Sequence, residues 1–406
     1  MSVVAIVFAV VYLGMMLGTL PGLKMDRASI ALGGAIALLG LEQVTQSQAL
    51  ATIDFSTIGM LFGLMLISAQ FELAGVYGAL SGSVTRIRVS PPRLLALLVA
   101  LVGALSAFLT NDVVAVAMTP TVLAICLKRG IDPVPFLLGI AFAANAGSVA
   151  TIIGSPQNML IAERLHLSFG GYMVYTAVPA LVSLAAVWAV LAVLYRGRWA
   201  LREPAADSAS APAEPTLSHW EAVKGLAVLA LVIYAFIFTD WNRGLVAASA
   251  GAFMLFNAHF MSRSMLHRVD WDLLILFIGL FIVNGAMQQT GLPEQLVGDL
   301  KAMGFDLRNS DVLYAATAIL SDIASNVPTA MLLLPYATEP HAGPLIALAS
   351  GLASNLIVVG SLANIIVVDA ANQHGIDISF GQFARSGIPV ALISLALAWG
   401  WVKLLL

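Results

Sequence analysis

Long apolar segments separated by short polar stretches run along the whole chain, beginning with residues 3–20. A helix needs about 20 mostly apolar residues to cross the hydrocarbon core of a bilayer. Hydrophobic residues make up 60% of the chain and charged residues only 10%, where a soluble domain carries about 25% charged residues. The pattern predicts an all-α polytopic membrane protein.

Two of the apolar runs are interrupted by the same polar step. Thr110-Asn111 lies in residues 106–120 and Ser325-Asn326 in residues 321–335, and a proline follows nine residues after each asparagine. Polar groups at membrane depth are costly, so they favour a functional explanation. We predict that they form the tips of two re-entrant helical hairpins, at about residues 94–127 and 312–338.

The length of the first hairpin's return arm supports this prediction. Its apolar run, residues 113–127, has 15 residues, or about 22 Å of helix against a core of about 30 Å. Such an arm is too short to cross comfortably, so we expect it to turn back and leave the tip near the midplane.

The segment over residues 134–165 contains a different kind of interruption. From Asn145 to Asn158 it holds two glycines, a proline and several small polar residues, which disfavour a continuous helix. Unwound backbone within a membrane is tolerated where it lines a cavity or is buried in protein. The motif Gly-Ser followed by Asn recurs at Gly360 to Asn364, so we expect two broken helices.

These landmarks keep a register between the two halves of the chain. Arg27 corresponds to Arg243 and Asn111 to Asn326 at almost the same offset, whereas the two Gly-Ser breaks correspond at a smaller offset, which we attribute to a shorter second break. The register predicts two inverted repeats, residues 1–195 and 219–406, joined by a linker over residues 196–218. Each repeat has five crossing segments and a hairpin, or about ten transmembrane segments in all.

The basic residues orient this layout. Of 19 Lys and Arg residues, the predicted topology puts 14 on one side and 5 on the other. The positive-inside rule then places the linker in the cytoplasm and both termini outside, in a bacterial-type inner membrane. The first hairpin enters from the cytoplasm and the second from the opposite face.

Several function classes are excluded or disfavoured. The chain has one cysteine, no Gly-rich phosphate loop, no HExxH motif and no recognisable nucleophile–base set, so neither an enzyme nor an ATP-driven pump is expected. We expect no cofactor, no metal other than Na⁺ as a coupling ion, and no nucleic-acid partner.

The polar residues of the tips and breaks are the candidate binding site. Helix N-termini favour anions, whereas helix C-termini and unwound carbonyls favour cations. The predicted substrate- and ion-binding residues are Thr110, Asn111, Asp112, Asn145, Ser148, Thr151, Gly154, Ser155, Asn158, Ser325, Asn326, Thr329, Ser361 and Asn364. Asp112 and Asp322 are the candidates for the coupling cation; capping of the hairpin arms is the alternative role for the tip residues, Asp112 included.

The motifs resemble the ion transporter superfamily, which includes divalent-anion–sodium symporters, citrate–metal symporters, arsenite permeases and one group of sodium–proton antiporters. The resemblance rests on Thr110-Asn111-Asp112 with Thr119-Pro120, the stretches 144–148 and 154–158, and Ser325-Asn-Val-Pro328; it is nearest to bacterial anion permeases. It implies that the two tips bind Na⁺ and a carboxylate, that the chain forms a homodimer, and that the hairpins move as an elevator.

The resulting prediction is a secondary transporter of a small inorganic or carboxylate anion, coupled to Na⁺ or H⁺ by alternating access at a midplane site. The alternative is an arsenite or antimonite efflux permease or a Na⁺/H⁺ antiporter, which Asp112 and the absence of an intramembrane arginine favour. An uncoupled pore also remains open.

Overall fold

A computed structural model describes residues 2–18, 25–200, 217–257 and 259–406. Most of the predicted linker (residues 201–216) and the end of the predicted first span (19–20) lie outside these ranges. The first ten helices are α1 (Val3–Leu17), α2 (Arg27–Gly40), α3 (Gln46–Thr52), α4 (Phe55–Leu73), α5 (Val76–Arg86), α6 (Pro91–Phe108), α7 (Asn111–Lys128), α8 (Val134–Ser148), α9 (Pro156–Arg164) and α10 (Phe169–Leu194). The next ten are α11 (His219–Phe238), α12 (Arg243–Leu255), α13 (Ser262–Leu266), α14 (Trp271–Gln288), α15 (Leu292–Ala302), α16 (Ser310–Ala324), α17 (Asn326–Leu333), α18 (Ala342–Ala353), α19 (Leu362–Gln373) and α20 (Phe380–Leu405).

The described part of the chain contains seven helices that are long and apolar enough to cross a membrane, and five shorter apolar helices. The long set includes both arms of the first hairpin, α6 and α7, and omits the halves of the broken helices. The chain is therefore an all-α integral membrane protein, as predicted. The number of crossings stays a prediction, because broken and re-entrant helices cannot be counted by length.

The first hairpin differs from the prediction in the length of its return arm. α7 has 18 residues, about 27 Å of helix, because it starts at Asn111 and extends through Lys128 beyond the apolar run. Length alone therefore does not exclude a crossing. The connection does support a re-entrant turn: Leu109 and Thr110 are only 6% and 4% exposed, whereas connections at a membrane surface are usually exposed.

Both broken helices are present, with bounds that correct the sequence analysis. α8 continues to Ser148, so Asn145 and Ser148 are helical, and the break covers residues 149–155. The second break covers residues 354–361 and is not shorter than the first. The change in register arises mainly in the second return arm, where α17 has only eight residues and a 3₁₀ turn follows it.

Side-chain caps set the starts of the helices that surround these hairpins. The Asp54 carboxylate accepts a hydrogen bond from the Thr57 amide at 3.0 Å, and the Asp270 carboxylate accepts one from the Leu273 amide at 2.9 Å. Such caps satisfy amides that have no partner within the helix. The two aspartates correspond at the same offset as Arg27 and Arg243, so the register extends to the caps.

Two glycine contacts join the halves in a reciprocal way. A Cβ on Gly63 of α4 would lie 2.0 Å from the Ala247 carbonyl oxygen of α12, and one on Gly279 of α14 would lie 2.5 Å from the Ala31 carbonyl carbon of α2. The register pairs Gly63 with Gly279 and Ala31 with Ala247 at one common offset. Exchanged contacts of this kind are typical of segments related by a two-fold axis. The division into two inverted repeats remains a prediction.

Candidate functional site

Asn145, which is 1% exposed, joins the first hairpin and both broken helices. Its amide nitrogen donates to Asn355 Oδ1 at 2.9 Å and to Asn364 Oδ1 at 3.0 Å. Its oxygen accepts from Ser361 Oγ at 2.9 Å and from the Asn111 amide at 3.3 Å. All the hydrogen-bonding capacity of this side chain is used, which fixes α8 and the three surrounding elements, α7, the second break and α19, in one arrangement.

Equivalent asparagines brace the two breaks. Asn158 donates to the carbonyls of Ser148 at 2.9 Å and Thr151 at 3.1 Å. Asn364 donates to the carbonyls of Ser354 at 2.6 Å and Ile357 at 3.2 Å. Each acceptor in the second set follows its counterpart in the first at the offset that separates the two asparagines. The breaks therefore share one local construction, in which an asparagine replaces the lost helical hydrogen bonds.

The second tip is held by short polar contacts. The Asn326 amide donates to Ser354 Oγ at 2.9 Å, and Ser321 Oγ donates to Asn326 Oδ1. Ser325 connects α16 to α17 with φ of 76°, a conformation that residues with a side chain rarely adopt. The strained serine allows the chain to reverse within one residue.

A cavity of about 530 Å³ brings the tips and breaks together. Its wall includes the first residues of four helices: Asn111 of α7, Pro156 of α9, Asn326 of α17 and Leu362 of α19. Each helix N-terminus carries unpaired amides and about half a positive charge. Four of them directed at one space make a favourable environment for an anion.

Several predicted site residues carry buried polar atoms that have no partner. Among the described residues, twelve buried side-chain oxygens have no hydrogen-bond partner, and six of them belong to predicted site residues. These six are Thr110, Asn111, Ser155, Asn158, Asp322 and Thr329. Buried polar atoms are normally hydrogen-bonded. Of the six residues, Asn111 and Asp322 line the cavity, so their oxygens indicate a place where a ligand or water supplies the missing bonds.

Charged groups on the same wall are mostly acidic. The described residues of the wall include a single guanidinium, that of Arg27, and five aspartates: Asp26, Asp112, Asp270, Asp272 and Asp322. The Asp112 carboxylate lies near the backbone amide of Ala363 at the start of α19, and that amide donates to Ser361 Oγ at 3.2 Å. An Asp322 oxygen lies so close to Gly360 that a Cβ there would be 2.5 Å away. These two carboxylates, the predicted cation candidates, thus face the second break.

The predicted site residues fall into three groups. Lining the cavity are Asn111, Asp112, Asp322, Ser325, Asn326 and Ser361. Connecting or bracing the broken helices are Asn145, Ser148, Thr151, Asn158 and Asn364, with Thr151 Oγ1 donating to the Ala107 carbonyl. Buried in the protein around the tips and the first break, without lining the cavity, are Thr110, Gly154, Ser155 and Thr329. Gly154 permits a close backbone approach, because a Cβ there would lie 2.2 Å from the Ser148 carbonyl oxygen.

Three residues of the site were missed by the sequence analysis. Ser354 and Asn355 contact Asn326 and Asn145, and the register of the two breaks, which maps Ser354 onto Ser148, could have identified the first of them. Arg27, which the sequence analysis used only as a register landmark, is the first residue of α2 and lines the cavity. An arginine at the end of a helix thus lines the candidate site, although the sequence predicts none within the membrane-spanning segments.

Comparisons with known proteins identify the family. Residues 3–346 match the CitMHS family model, described as citrate transporter. An uncharacterized transporter of Mycobacterium tuberculosis is 32% identical, covering 91% of this chain and 90% of its own. The silicon efflux transporter LSI3 of rice is 27% identical over 97% of this chain and 96% of its own. The crystal structure of the Alcanivorax borkumensis YdaH transporter has the same fold, with a TM-score of 0.58, 15% identity and coverage of 99% and 97%. The chain is a membrane transporter, not an enzyme, and belongs to the CitMHS citrate transporter family.

Proposed function

We propose that this protein is a secondary active transporter that carries a small anion, with Na⁺ or H⁺ as the coupling ion. The main observation in support is that four helix N-termini converge on one cavity, whose wall includes the unpartnered Asn111 and Asp322 oxygens. Backbone amides and amide side chains can bind carboxylate or other oxyanions without a dedicated pair of arginines. A small carboxylate such as citrate suits this construction and the family.

The acidic residues support co-binding of a cation. Of the residues that the structure describes, five carboxylates and one guanidinium line the cavity, so a multivalent anion alone would meet repulsion from these carboxylates. A Na⁺ ion or a proton at Asp112 or Asp322 reduces that repulsion. We therefore assign the coupling ion to these two residues and the anion to the helix N-termini.

The open face of the cavity suggests the state of the transport cycle. Its wall includes the end of α1, the start of α2 and the Asp270 cap of α14, all of which the predicted topology places on the cytoplasmic side. On that orientation the structure represents a state open to the cytoplasm. Alternating access then requires the tips and breaks to move relative to α2, α4, α12 and α14.

The excess of acidic groups also supports a second candidate, efflux of a neutral or weakly acidic hydroxide such as arsenite or antimonite. A neutral substrate avoids repulsion from the five carboxylates and can accept hydrogen bonds from the same amides. The rice relative is named a silicon efflux transporter. If only cations are transported, bound by the carboxylates, the protein is instead a Na⁺/H⁺ antiporter.

A substrate panel in proteoliposomes tests these proposals. Purified protein is reconstituted, and citrate, succinate, sulfate, arsenite and Na⁺/H⁺ exchange are measured under imposed Na⁺ and pH gradients. Saturable citrate or other anion uptake with a fixed cation stoichiometry supports the first proposal. Arsenite flux or cation exchange without anion movement supports the second, and unsaturable flux without coupling indicates a pore.

A further inference from the structure

A charged pair holds the end of the first broken helix against α12. Arg243 Nη1 lies 3.3 Å from Glu163 Oε1, and Arg243 Nη2 donates to the Leu167 carbonyl at 2.6 Å. Ser56 Oγ of α4 donates to the second Glu163 oxygen at 2.7 Å. The two charged side chains are only 18% and 14% exposed. We call the Arg243–Glu163 pair the first latch.

The register between the halves identifies a counterpart of this pair. Arg27 corresponds to Arg243 at the offset that also relates the glycine contacts between α4 and α12 and between α2 and α14. Asp369 corresponds to Glu163 at the offset that relates the asparagine braces of the two breaks. Arg27 and Asp369 thus occupy in α2 and the second broken helix the places that Arg243 and Glu163 occupy in α12 and the first.

The counterpart pair is not formed in this structure. Within the described ranges, no carboxylate lies within ion-pair distance of the Arg27 guanidinium, which lines the 530 Å³ cavity. Asp369 is exposed, and its carboxylate accepts a hydrogen bond from the Gln373 side chain at 2.7 Å. Each pair joins one residue of the first half to one of the second, and the cavity lies beside Arg27, the arginine of the open pair.

We propose that Arg27 and Asp369 form an ion pair, the second latch, when the transporter closes this cavity, and that the first latch opens in the same movement. α9 and α19 are the second halves of the two broken helices, and their first residues line the binding cavity. α2 packs closely against α14, and α12 packs closely against α4, at the glycine contacts described above. Movement of the broken helices relative to α2 and α12 therefore separates one pair as it brings the other together.

The exchange of one ion pair for another keeps the two end states close in free energy. Formation of the second pair offsets the loss of the first, so neither state is strongly favoured without a ligand. Arg27 and Asp369 act as positioning residues here, since the role does not require contact with the substrate. The inference rests on the proposed alternating access but not on the identity of the cargo.

Cysteine labelling in nanodiscs tests the exchange. The reporter is Leu362→Cys on the cavity wall, in a Cys126→Ser background, and the probe is a polar maleimide. Asp369→Asn should raise the labelling rate, because the closed state loses its latch, and Arg243→Ala should lower it. Each shift should be about two- to fivefold, the range for a partly exposed ion pair. Asp377→Asn, an exposed carboxylate beyond α19, is the matched control and should change nothing.

A charge exchange separates pairing from misfolding. Asp369→Arg alone should disfavour the closed state through repulsion with Arg27, and the double variant R27D/D369R should return labelling toward the original rate. Equal labelling in Asp369→Asn and Asp377→Asn, or a double variant no better than either single one, would overturn the second latch. The transport assay and the labelling assay can fail separately. If the labelling shifts occur but no substrate of the panel is transported, the proposed substrate class is wrong and the proposed second latch is still supported.

Discussion

The Asn145 amide nitrogen lies 3.0 Å from Asn364 Oδ1, so a side chain of the first broken helix contacts one in the second across 219 residues of chain. The same nitrogen also reaches Asn355, and the oxygen is occupied by Ser361 and Asn111. The two halves of the candidate site are thereby one hydrogen-bonded unit.

Replacing Asn145 with alanine should destabilise the protein by about 2–4 kcal/mol, because each buried partner left without a bond costs about 1–3 kcal/mol. Asn145→Asp keeps the acceptor for Ser361 but sets an oxygen against the Asn355 and Asn364 oxygens in a buried site, so it should be at least as destabilising. Thermal unfolding in detergent measures both. Ser394→Ala is the control, since that buried hydroxyl already has no partner; a similar loss in the control would contradict the role of Asn145.

The tip asparagines should matter for transport more than for stability. Asn111→Ala and Asn326→Ala should abolish substrate flux in proteoliposomes, because each removes an amide from the cavity wall. Size-exclusion chromatography checks that the variants remain folded. Normal uptake by either variant would remove that tip from the site.

Asp112 carries a prediction about coupling. If its carboxylate carries the coupling proton, Asp112→Asn should abolish the pH dependence of flux, because the amide does not titrate. Flux is measured from pH 5.5 to 8.5. Histidines and carboxyl groups with perturbed pKa values change their charge within this range of about three pH units. An unchanged pH profile would reduce Asp112 to a cap at the α19 contact; Asp322→Asn is the parallel variant.

The glycine contact between α4 and α12 should be intolerant of a methyl group. Gly63→Ala places a Cβ 2.0 Å from the Ala247 carbonyl oxygen, and overpacking of this kind costs about 1–3 kcal/mol. Gly298→Ala is the matched control, since that helical position has open space around it and alanine is the better helix former by about 1 kcal/mol. The two substitutions should shift thermal stability in opposite directions.

His341 should make the stability of the second half depend on pH. Its ring lies 2.7 Å from Ser310 Oγ, and burial lowers the pKa of this histidine below its usual value. The unfolded chain therefore binds more protons than the folded one as the pH falls through the unfolded value of about 6.5, and stability decreases there. His341→Gln should flatten the dependence of unfolding temperature on pH between 7 and 5, where His titrates with a pKa of about 6.5. His166→Gln, at an exposed position, should leave the dependence unchanged.

Much of the site was predictable because a polar residue inside an apolar run is a strong local signal. The tips at Asn111 and Asn326 and the breaks near Gly154 and Gly360 were located in this way, and the structure places them around one cavity or directly behind it. The predicted roles of these residues in binding stay predictions.

The sequence could not predict where some helices end, nor which residues far apart in the chain are in contact. Asn145 remains helical because α8 is buried on all sides, and tertiary packing there outweighs the small polar residues that follow. The partners of Asn145 in the second half have no local signature. Arg27 looks like a loop residue until the Asp26 cap starts α2 directly before it.

The reciprocal glycine contacts also bear on how the chain is made. The face of α4 around Gly63 has no partner until Ala247, far along in the second half, has been synthesised. At about 5–20 residues per second, translation takes roughly 10–40 s to deliver it. During that interval the helices of the first half must wait in the bilayer, or beside an insertion factor, with their small-residue faces uncovered. We therefore expect the packing of α4 to be completed only once α12 has been made, and a ribosome that stalls before α12 to leave this face of the first half uncovered.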